Sequence, residues 1–598
     1  MAAPYKAPLR EMRFVLHELF DGGALHTLPG YEDMTPDVLD AVLEEAAKFC
    51  EQVLYPLNRP GDEEGCTYEN GVVRTPSGFR DAYRAFCEAG WAAIACSPDY
   101  GGQGMPKLVN SLVEEMICSA NLSFGMYPGL THGAYVSLSA YGTEEQKNVY
   151  LPKLVSGEWS GTMCLTEPHC GTDLGMIRTK ADPNPDGSYR ITGTKIFISA
   201  GEHDLSENII HLVLAKLPGA PEGARGISLF VVPKFLPDPA GNPGQRNGVM
   251  CGSIEHKMGI KASATCVMNF DDATGWLVGE PHKGMRAMFT MMNTERLAVG
   301  VQGLGLGEAS YQGAVAYARD RIQGRALSGA KKPEAKADPI LVHPDVRKML
   351  LTQRATMEGS RALVAWVSHA LDLATAHPDP DVRQEADDLV ALMTPIVKAL
   401  ITDLGSEATN LGVQVYGGHG YIREWGMEQY VRDARIAQIY EGTNGIQALD
   451  LVGRKMPAFA GRYLRRFFHP VSDYIAAKGE DETMEEFVAP LAKAFTRLQQ
   501  ATGFIAQKAM ANRDEAGAAS SDFLRLFGLT AIAYLWCRSV DVARDKLATG
   551  TNGDAAFYEA KIATARFFMQ RVLPQTGALF SGLMSGASSM MDFPDDAF

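Results

Sequence analysis

A chain of 598 residues is too long for one hydrophobic core, so three or four domains are expected. With 46% apolar and 21% charged residues, its composition is that of an ordinary globular protein. A net charge of −15 excludes nucleic acid as the main partner, because a phosphate backbone needs a basic surface, but leaves room for an anionic small molecule held by a few arginines.

The N-terminal stretch MAAPYKAPLREMRFVL lacks the basic-then-apolar pattern of a secretory leader, and no run reads as the roughly 20 apolar residues of a spanning helix. A cytoplasmic protein without a transmembrane segment is expected, with residues 1–35 as an extension. Residues 36–160 read as a helical domain: in DVLDAVLEEAAKFCEQVLYPLN, apolar Val38, Leu39, Val42, Leu43, Ala46, Phe49, Val53 and Leu54 recur at helical spacing. Residues 161–280 change texture. YRITGTKIFISAG, NIIHLVLAKL, GISLFVVPKF and ATCVMNFDDA are short β-branched or aromatic runs between turn residues, the pattern of a small β-barrel or sandwich.

Helical texture returns over 281–455, interrupted at 327–340 by LSGAKKPEAKADPI, which reads as an exposed loop. Residues 456–598 form a further helical domain. Thr483 with Glu486 suggests a capping box ahead of a stripe through Met484, Phe487, Val488, Leu491, Phe495 and Leu498, and a later stripe runs from Tyr558 to Leu573. No internal repeat is evident. The ten cysteines show no CxxC pair and no metal-type spacing, so they are read as reduced, buried thiols, and no metal is expected. The fold class is α+β and multidomain: helical domain, central β-barrel or sandwich, helical bundle and extra C-terminal helical domain.

Three stretches hold candidate chemistry. VQGLGLGEAS carries Gly303, Gly305 and Gly307, but its flanks read as one continuous helix, so close helix packing is the better account than a dinucleotide loop. MCLTEPHCGTDLGM, 163–176, offers hydroxyls and turn amides that can hold a polar ring or a phosphate, though a surface turn fits equally. VYGGHGYIREWGMEQYVRDARIAQIYEGTNGIQ, 415–447, combines close-approach glycines, a charge cluster read as structural (Arg432, Asp433, Arg435), and Glu441 in an otherwise apolar run.

Taken together and in order, LTEPHCGTD, KIFISAG, GEPHKGMRAM with NTERL, RDRIQGR, QVYGGHGYIRE and RDARIAQIYEGT resemble the acyl-CoA dehydrogenase family over residues 36–455, in an extended bacterial form. The resemblance implies FAD between the β domain and the second helical domain, partly contacted by a second subunit, and hence an oligomer; the apolar stripes of the tail, which need burial, lead to the expectation of a homodimer. It implies that Glu441 is the base that takes the α-proton of an acyl-CoA thioester while a hydride passes to the flavin, with burial raising its pKa and the Glu441 N–H meeting enolate charge. Flavin contacts are implied for Met163, Leu165, Thr166, Gly171, Thr172, Phe197, Ile198, Ser199 and Thr443, and across the subunit boundary for Arg321, Gln323, Gln414, Gly417 and Gly418. Arg296, Asn293, Thr172 and Gly442 are implied on the substrate side. Electrons would pass to an electron-transfer flavoprotein. A medium- or long-chain acyl-CoA is expected first and 3-methylthiopropanoyl-CoA next, with an acyl-CoA oxidase or a catalytically silent assembly partner as alternative readings.

Overall fold

The computed structural model describes residues 4–551 and 553–598, so the first three residues of the expected extension lie outside it. The chain divides into two compact units. One comprises Lys48–Met105 and Ala120–Ala298; the other comprises Met1–Ala47, Pro106–Ser119 and Val299–Phe598.

The first unit is organised by a seven-stranded sheet: β1 (Trp159–Cys164), β2 (Lys180–Pro183), β3 (Tyr189–Ser199), β4 (Asn208–Lys216), β5 (Ile227–Pro233), β6 (Val249–Ile254) and β7 (Thr265–Val278). Strand β7 pairs with β3, β3 with β2, β2 with β4 through Lys180 and Lys216, β4 with β5, and β5 with β7. That ring closes a barrel, which settles the barrel-or-sandwich alternative and leaves β1 beside β4 and β6 beside β7 as flanking strands. Ile191, Ile198, Val213, Phe230, Val232, Met268 and Phe270 fill its core. Strand β4 reads NIIHLVLAK without polar alternation because nearly all of it is buried.

The four runs expected as strands are strands. Those not foreseen are short or polar, such as β2 with sequence KADP, or irregular in register, such as β6. The reading of 36–160 as wholly helical is corrected by a small hairpin, Thr67–Glu69 with Val72–Arg74.

The second unit is helical. Gly303, Gly305 and Gly307 lie within the helix Gly284–Asp320, as expected for packing. A Cβ on Gly303 would come within 2.7 Å of the Ile401 carbonyl oxygen, and one on Gly307 within 2.2 Å of the Met357 sulfur. The expectation that no run is apolar enough to span a membrane needs correction. Pro380–Tyr421 and Arg513–Thr549 are long and apolar enough, but 78% and 83% of their most apolar windows are buried inside the protein, as in core helices. The expected capping box is absent: Thr483 Oγ1 donates to Asp481 at 2.6 Å, Glu486 pairs with Arg566, and the helix Glu485–Ala511 starts later without a side-chain cap. Both apolar stripes of the tail are buried as expected, from Phe487 and Leu498 to Tyr558, Phe568 and Leu573.

A buried ion network joins the helices of this unit. The Arg361 guanidinium on Pro344–Ala376 donates to Glu115 at 2.6–3.1 Å and to Glu308 at 2.9 Å, and all three side chains are buried. A turn earlier, Glu358 receives Lys561 from the C-terminal domain at 2.6 Å and Arg354 at 2.6 Å, and Lys561 also pairs with Glu11 of the N-terminal extension. Arg361→Leu leaves two buried carboxylates without their cation. It is expected to cost about 3–5 kcal/mol, read as a large drop in the unfolding midpoint with earlier loss of helix by circular dichroism.

Asp372 accepts from the Lys107 and Leu108 amides, at 2.6 and 3.0 Å, and from the Tyr31 hydroxyl. Burial outweighs those donors and pushes its carboxyl up to about 7 from 3.8. The folded form therefore holds this proton to higher pH than the unfolded chain, so its stabilising contribution is complete below 3.8 and lost as pH rises to about 7. Asp372→Asn should remove that decline: between pH 5 and 8 the unfolding midpoint of the variant should fall less steeply than that of the parent.

Candidate active site

In the barrel unit, the residues expected around a flat ligand come from two adjoining pieces. Met163 lies in β1, with Leu165 and Thr166 directly after it; all three are half-buried. Gly171 and Thr172 sit in the exposed loop that follows. The Ile196 amide donates to the Thr166 carbonyl at 2.9 Å, which brings this segment against the end of β3, where Phe197, Ile198 and Ser199 lie. Phe197 has a φ of 58° and is 59% exposed. A large aromatic is thus left open near the end of a structured strand, on a backbone that L side chains rarely adopt, as is common where a site stores strain. The Ile198 side chain points into the barrel core, so only its backbone is available to a ligand.

A buried pair not foreseen from the sequence holds this platform. Glu167 accepts from Lys195 Nζ at 2.9 Å, from the Thr179 hydroxyl at 2.6 Å and amide at 3.1 Å, and from the Arg178 amide at 2.7 Å. Lys195 also donates to the Leu165 carbonyl at 3.0 Å, so one ammonium fixes both pieces. Burial pushes the Glu167 carboxyl up, but Lys195 and the four hydrogen bonds win and hold it below its ordinary value. His169 and Cys170 lie close enough to Glu167 to suggest a metal trio, but that carboxylate is already engaged by four donors. The available signal was a lysine at the head of the apolar run KIFIS.

Asn293 and Arg296 sit one turn apart on the helix Gly284–Asp320. Arg296 is buried and its Nη1 donates to Asn293 Oδ1 at 3.4 Å, while Asn293 is exposed.

In the helical unit, Glu441, Gly442 and Thr443 form a half-buried loop between short helices. Glu441 has φ 57° and Gly442 φ 84°. Two successive left-handed residues turn the chain sharply; glycine accepts this freely, whereas glutamate in that region costs roughly 1–2 kcal/mol, which neighbours must offset. The Gln447 amide donates to the Glu441 and Gly442 carbonyls, both at 3.2 Å. Asn444 is anchored to the helix Pro380–Tyr416, with Oδ1 accepting from Lys398 at 2.9 Å and Nδ2 donating to Asp403 at 2.8 Å.

Gln414, Gly417 and Gly418 are exposed at the C-terminal end of that helix, Gly417 at φ 59°. Arg321 and Gln323 are exposed just past the end of Gly284–Asp320. A stack brings these two helix ends together: Tyr317 lies 4.0 Å from Tyr416, its hydroxyl is 2.9 Å from His419 Nδ1, and His419 stacks on Trp425 at 4.4 Å. The loop 327–340 is largely exposed, as expected, but it is organised from within by Asp338. That fully buried carboxylate accepts from the Ala326, Lys331 and Lys332 amides at 2.8–3.1 Å, and these hold its carboxyl well below the usual range. The Asp338 carbonyl also accepts from the Gln323 amide at 2.9 Å, tying Gln323 in place. Arg432, Asp433 and Arg435 engage Glu428, Gln429 and Gln438, consistent with a structural cluster.

Four family profiles match the chain in sequence: "Acyl-CoA dehydrogenase, N-terminal domain" over residues 37–158, the middle domain over 162–273, the C-terminal domain over 282–456, and "Acetyl-CoA dehydrogenase C-terminal like" over 467–594. The 3-methylmercaptopropionyl-CoA dehydrogenase of Ruegeria pomeroyi is 45% identical over 98% of this chain and 99% of its own length. A broad-specificity linear acyl-CoA dehydrogenase of Mycobacterium tuberculosis is 35% identical over 99% of this chain and all of its own length. Among solved structures, an acyl-CoA dehydrogenase complexed with FAD from Bacillus anthracis superposes with a TM-score of 0.75, covering 95% of this chain and 91% of that one at 22% identity, a likeness of fold.

Lys195→Met strands the Glu167 carboxylate in the barrel. It is expected to raise amide exchange across residues 165–179 by about tenfold or more, with exchange in the helix Arg513–Thr549 unchanged.

Proposed function

The chain belongs to the acyl-CoA dehydrogenase family of FAD-dependent oxidoreductases, and from that premise we propose that it desaturates a short acyl-CoA thioester between Cα and Cβ. The first substrate to test is 3-methylthiopropanoyl-CoA. The support for this choice is the 45% identity over almost the whole length of both chains, ten points above the broad-specificity relative. It displaces the medium- or long-chain thioester expected first from the sequence.

The residues present fit the cofactor. The open face of Phe197, the half-buried Met163, Leu165 and Thr166, and the Ser199 hydroxyl suit a planar ring system with polar edges. The exposed Arg321 suits a pyrophosphate, since its guanidinium stays charged and binds two oxygens at once. Gln323, Gln414, Gly417 and Gly418 complete that second set at the stacked helix ends, and Thr443 adds a hydroxyl beside the base. FAD, when bound, supplies the acceptor for the hydride leaving Cβ.

Glu441 takes the α-proton. Its backbone N–H meets the thioester oxygen as negative charge develops there, and Gly442 keeps the approach to that amide open. Thr172 stands on the substrate side of the platform, and Arg296 with Asn293 addresses the anionic CoA portion. One C–H gives its proton to Glu441, the other gives its hydride, and the two electrons left between the carbons form the trans double bond. Electrons then leave for an electron-transfer flavoprotein, and the active form is a homodimer, for which light scattering should give about two chain masses.

Anaerobic titration of the purified protein with a series of acyl-CoAs should bleach the flavin, most readily with 3-methylthiopropanoyl-CoA. Bleaching by long straight chains alone would overturn the substrate choice. Rapid peroxide formation in air would mark an oxidase instead. Glu441→Gln should keep its FAD and lose about 10²–10⁴-fold in dehydrogenation rate; a rate equal to the parent's would overturn the assignment of the base.

A further inference from the structure

We propose that Asp403 is a positioning residue that clamps the catalytic loop from both sides, an inference that rests on Glu441 being the base. The loop Ile439–Thr443 has no regular structure and turns through two successive left-handed residues, one of them not glycine. Such a backbone persists only where its surroundings over-determine it. The Gln447 amide belongs to the same short segment and moves with it, so the fixed point must lie on another element.

That element is the helix Pro380–Tyr416. A single oxygen, Asp403 Oδ1, accepts from Gln438 Nε2 at 2.6 Å and from Asn444 Nδ2 at 2.8 Å. Gln438 stands three residues before Glu441 and Asn444 three residues after it, so both flanks of the loop end on one atom. The same helix face fixes the rest of the Asn444 amide. Lys398 Nζ donates to its oxygen at 2.9 Å, and its nitrogen also donates to the Ala399 carbonyl at 3.1 Å. Lys398 is fully buried, and its ammonium keeps the Asn444 amide from flipping, which would put two donors face to face. Arg525 feels the Asp403 charge through space, but its hydrogen bonds go to Glu407 and Gln575, so Asp403 does not serve that guanidinium directly. A carboxylate accepting two side-chain amides gives short, charge-assisted bonds on both flanks. Displacement of the base by about 1 Å costs on the order of a hundredfold in rate, which is the scale at which such a clamp matters.

The test compares Asp403→Ala, Asp403→Asn and Gln438→Leu in the full-length FAD-loaded enzyme, with the acyl-CoA that bleaches the parent most readily. Asp403→Ala should lower kcat by about 10–100-fold, with KM within about twofold, flavin content per chain unchanged, and a larger primary isotope effect on an α-deuterated substrate. Asp403→Asn keeps an oxygen for both donors and should recover to within about threefold of the parent. Gln438→Leu removes one flank and should fall in between, and it carries the test should Asp403→Ala not fold.

A kcat within twofold of the parent for both Asp403→Ala and Gln438→Leu would overturn the proposal. So would a loss that follows lost flavin or a lowered unfolding midpoint and is not restored in Asp403→Asn. Glu441→Gln, run alongside, separates the two ideas: if it is inactive while Asp403→Ala is fully active, only the clamp falls, and if it is as active as the parent, the base assignment itself falls.

Discussion

The helical unit depends on one desolvated cation, the Arg361 guanidinium. Burial alone would drive such a group toward neutrality, but Glu115 and Glu308 reverse that and keep it charged. The consequence is geometric. Glu115 lies on Lys107–Tyr141, Glu308 on Gly284–Asp320 and Arg361 on Pro344–Ala376, so three helices must meet in one register for the charge to be matched. A buried pair adds little net stability over a well-packed apolar trio, but an alternative packing that separates it is strongly penalised. Here that penalty fixes how the three helices pack against one another.

The same device incorporates both ends of the chain. Burial pushes the Glu358 carboxyl up, but Lys561 and Arg354 prevail and hold it well below the usual range. Lys561 comes from the last helical domain, and Glu11, which shares it, from the helix Leu9–Arg13. Gly359 lies between these charges, where a Cβ would meet Ile532 at 2.5 Å, so the helix Arg513–Thr549 packs directly on the bundle. The extension and the tail are therefore structural parts of this unit, consistent with the buried apolar stripes of the tail.

From that bundle, Pro380–Tyr416 serves as a common support. Its middle turns carry Lys398, Thr402 and Asp403 beneath the Glu441 loop, and its C-terminal end presents Gln414 and Gly417. Rigid placement on a buried helix suits a residue that must remove a weakly acidic proton, because a loop alone would not hold a carboxylate to within a fraction of an ångström. In the barrel unit, Glu167 and Lys195 play the corresponding part for the platform around Phe197, again by satisfying a buried charge with fixed donors.

The sequence by itself determined the element types wherever a period is strong: the four long β runs, the tail stripes and the helical context that made Gly303, Gly305 and Gly307 packing residues. It also singled out Glu441, because an acid in an apolar run before Gly442 has few structural explanations. It did not show the strand Lys180–Pro183, whose residues are too few and too polar for a period to register, nor that Thr483 would turn to Asp481 instead of capping a helix. Ile198 looked like a platform residue until the pleat turned its side chain into the barrel. Only the tertiary structure decided the supports: Lys195 under Glu167, Asp338 inside its loop, and Asp403 between Gln438 and Asn444. Those partners stand 28, 12 and 35 or 41 positions apart in the chain. Periodicity reports which face of an element is buried, but which charge meets which donor on that face is set by how the elements pack, and that pairing leaves no local pattern to read.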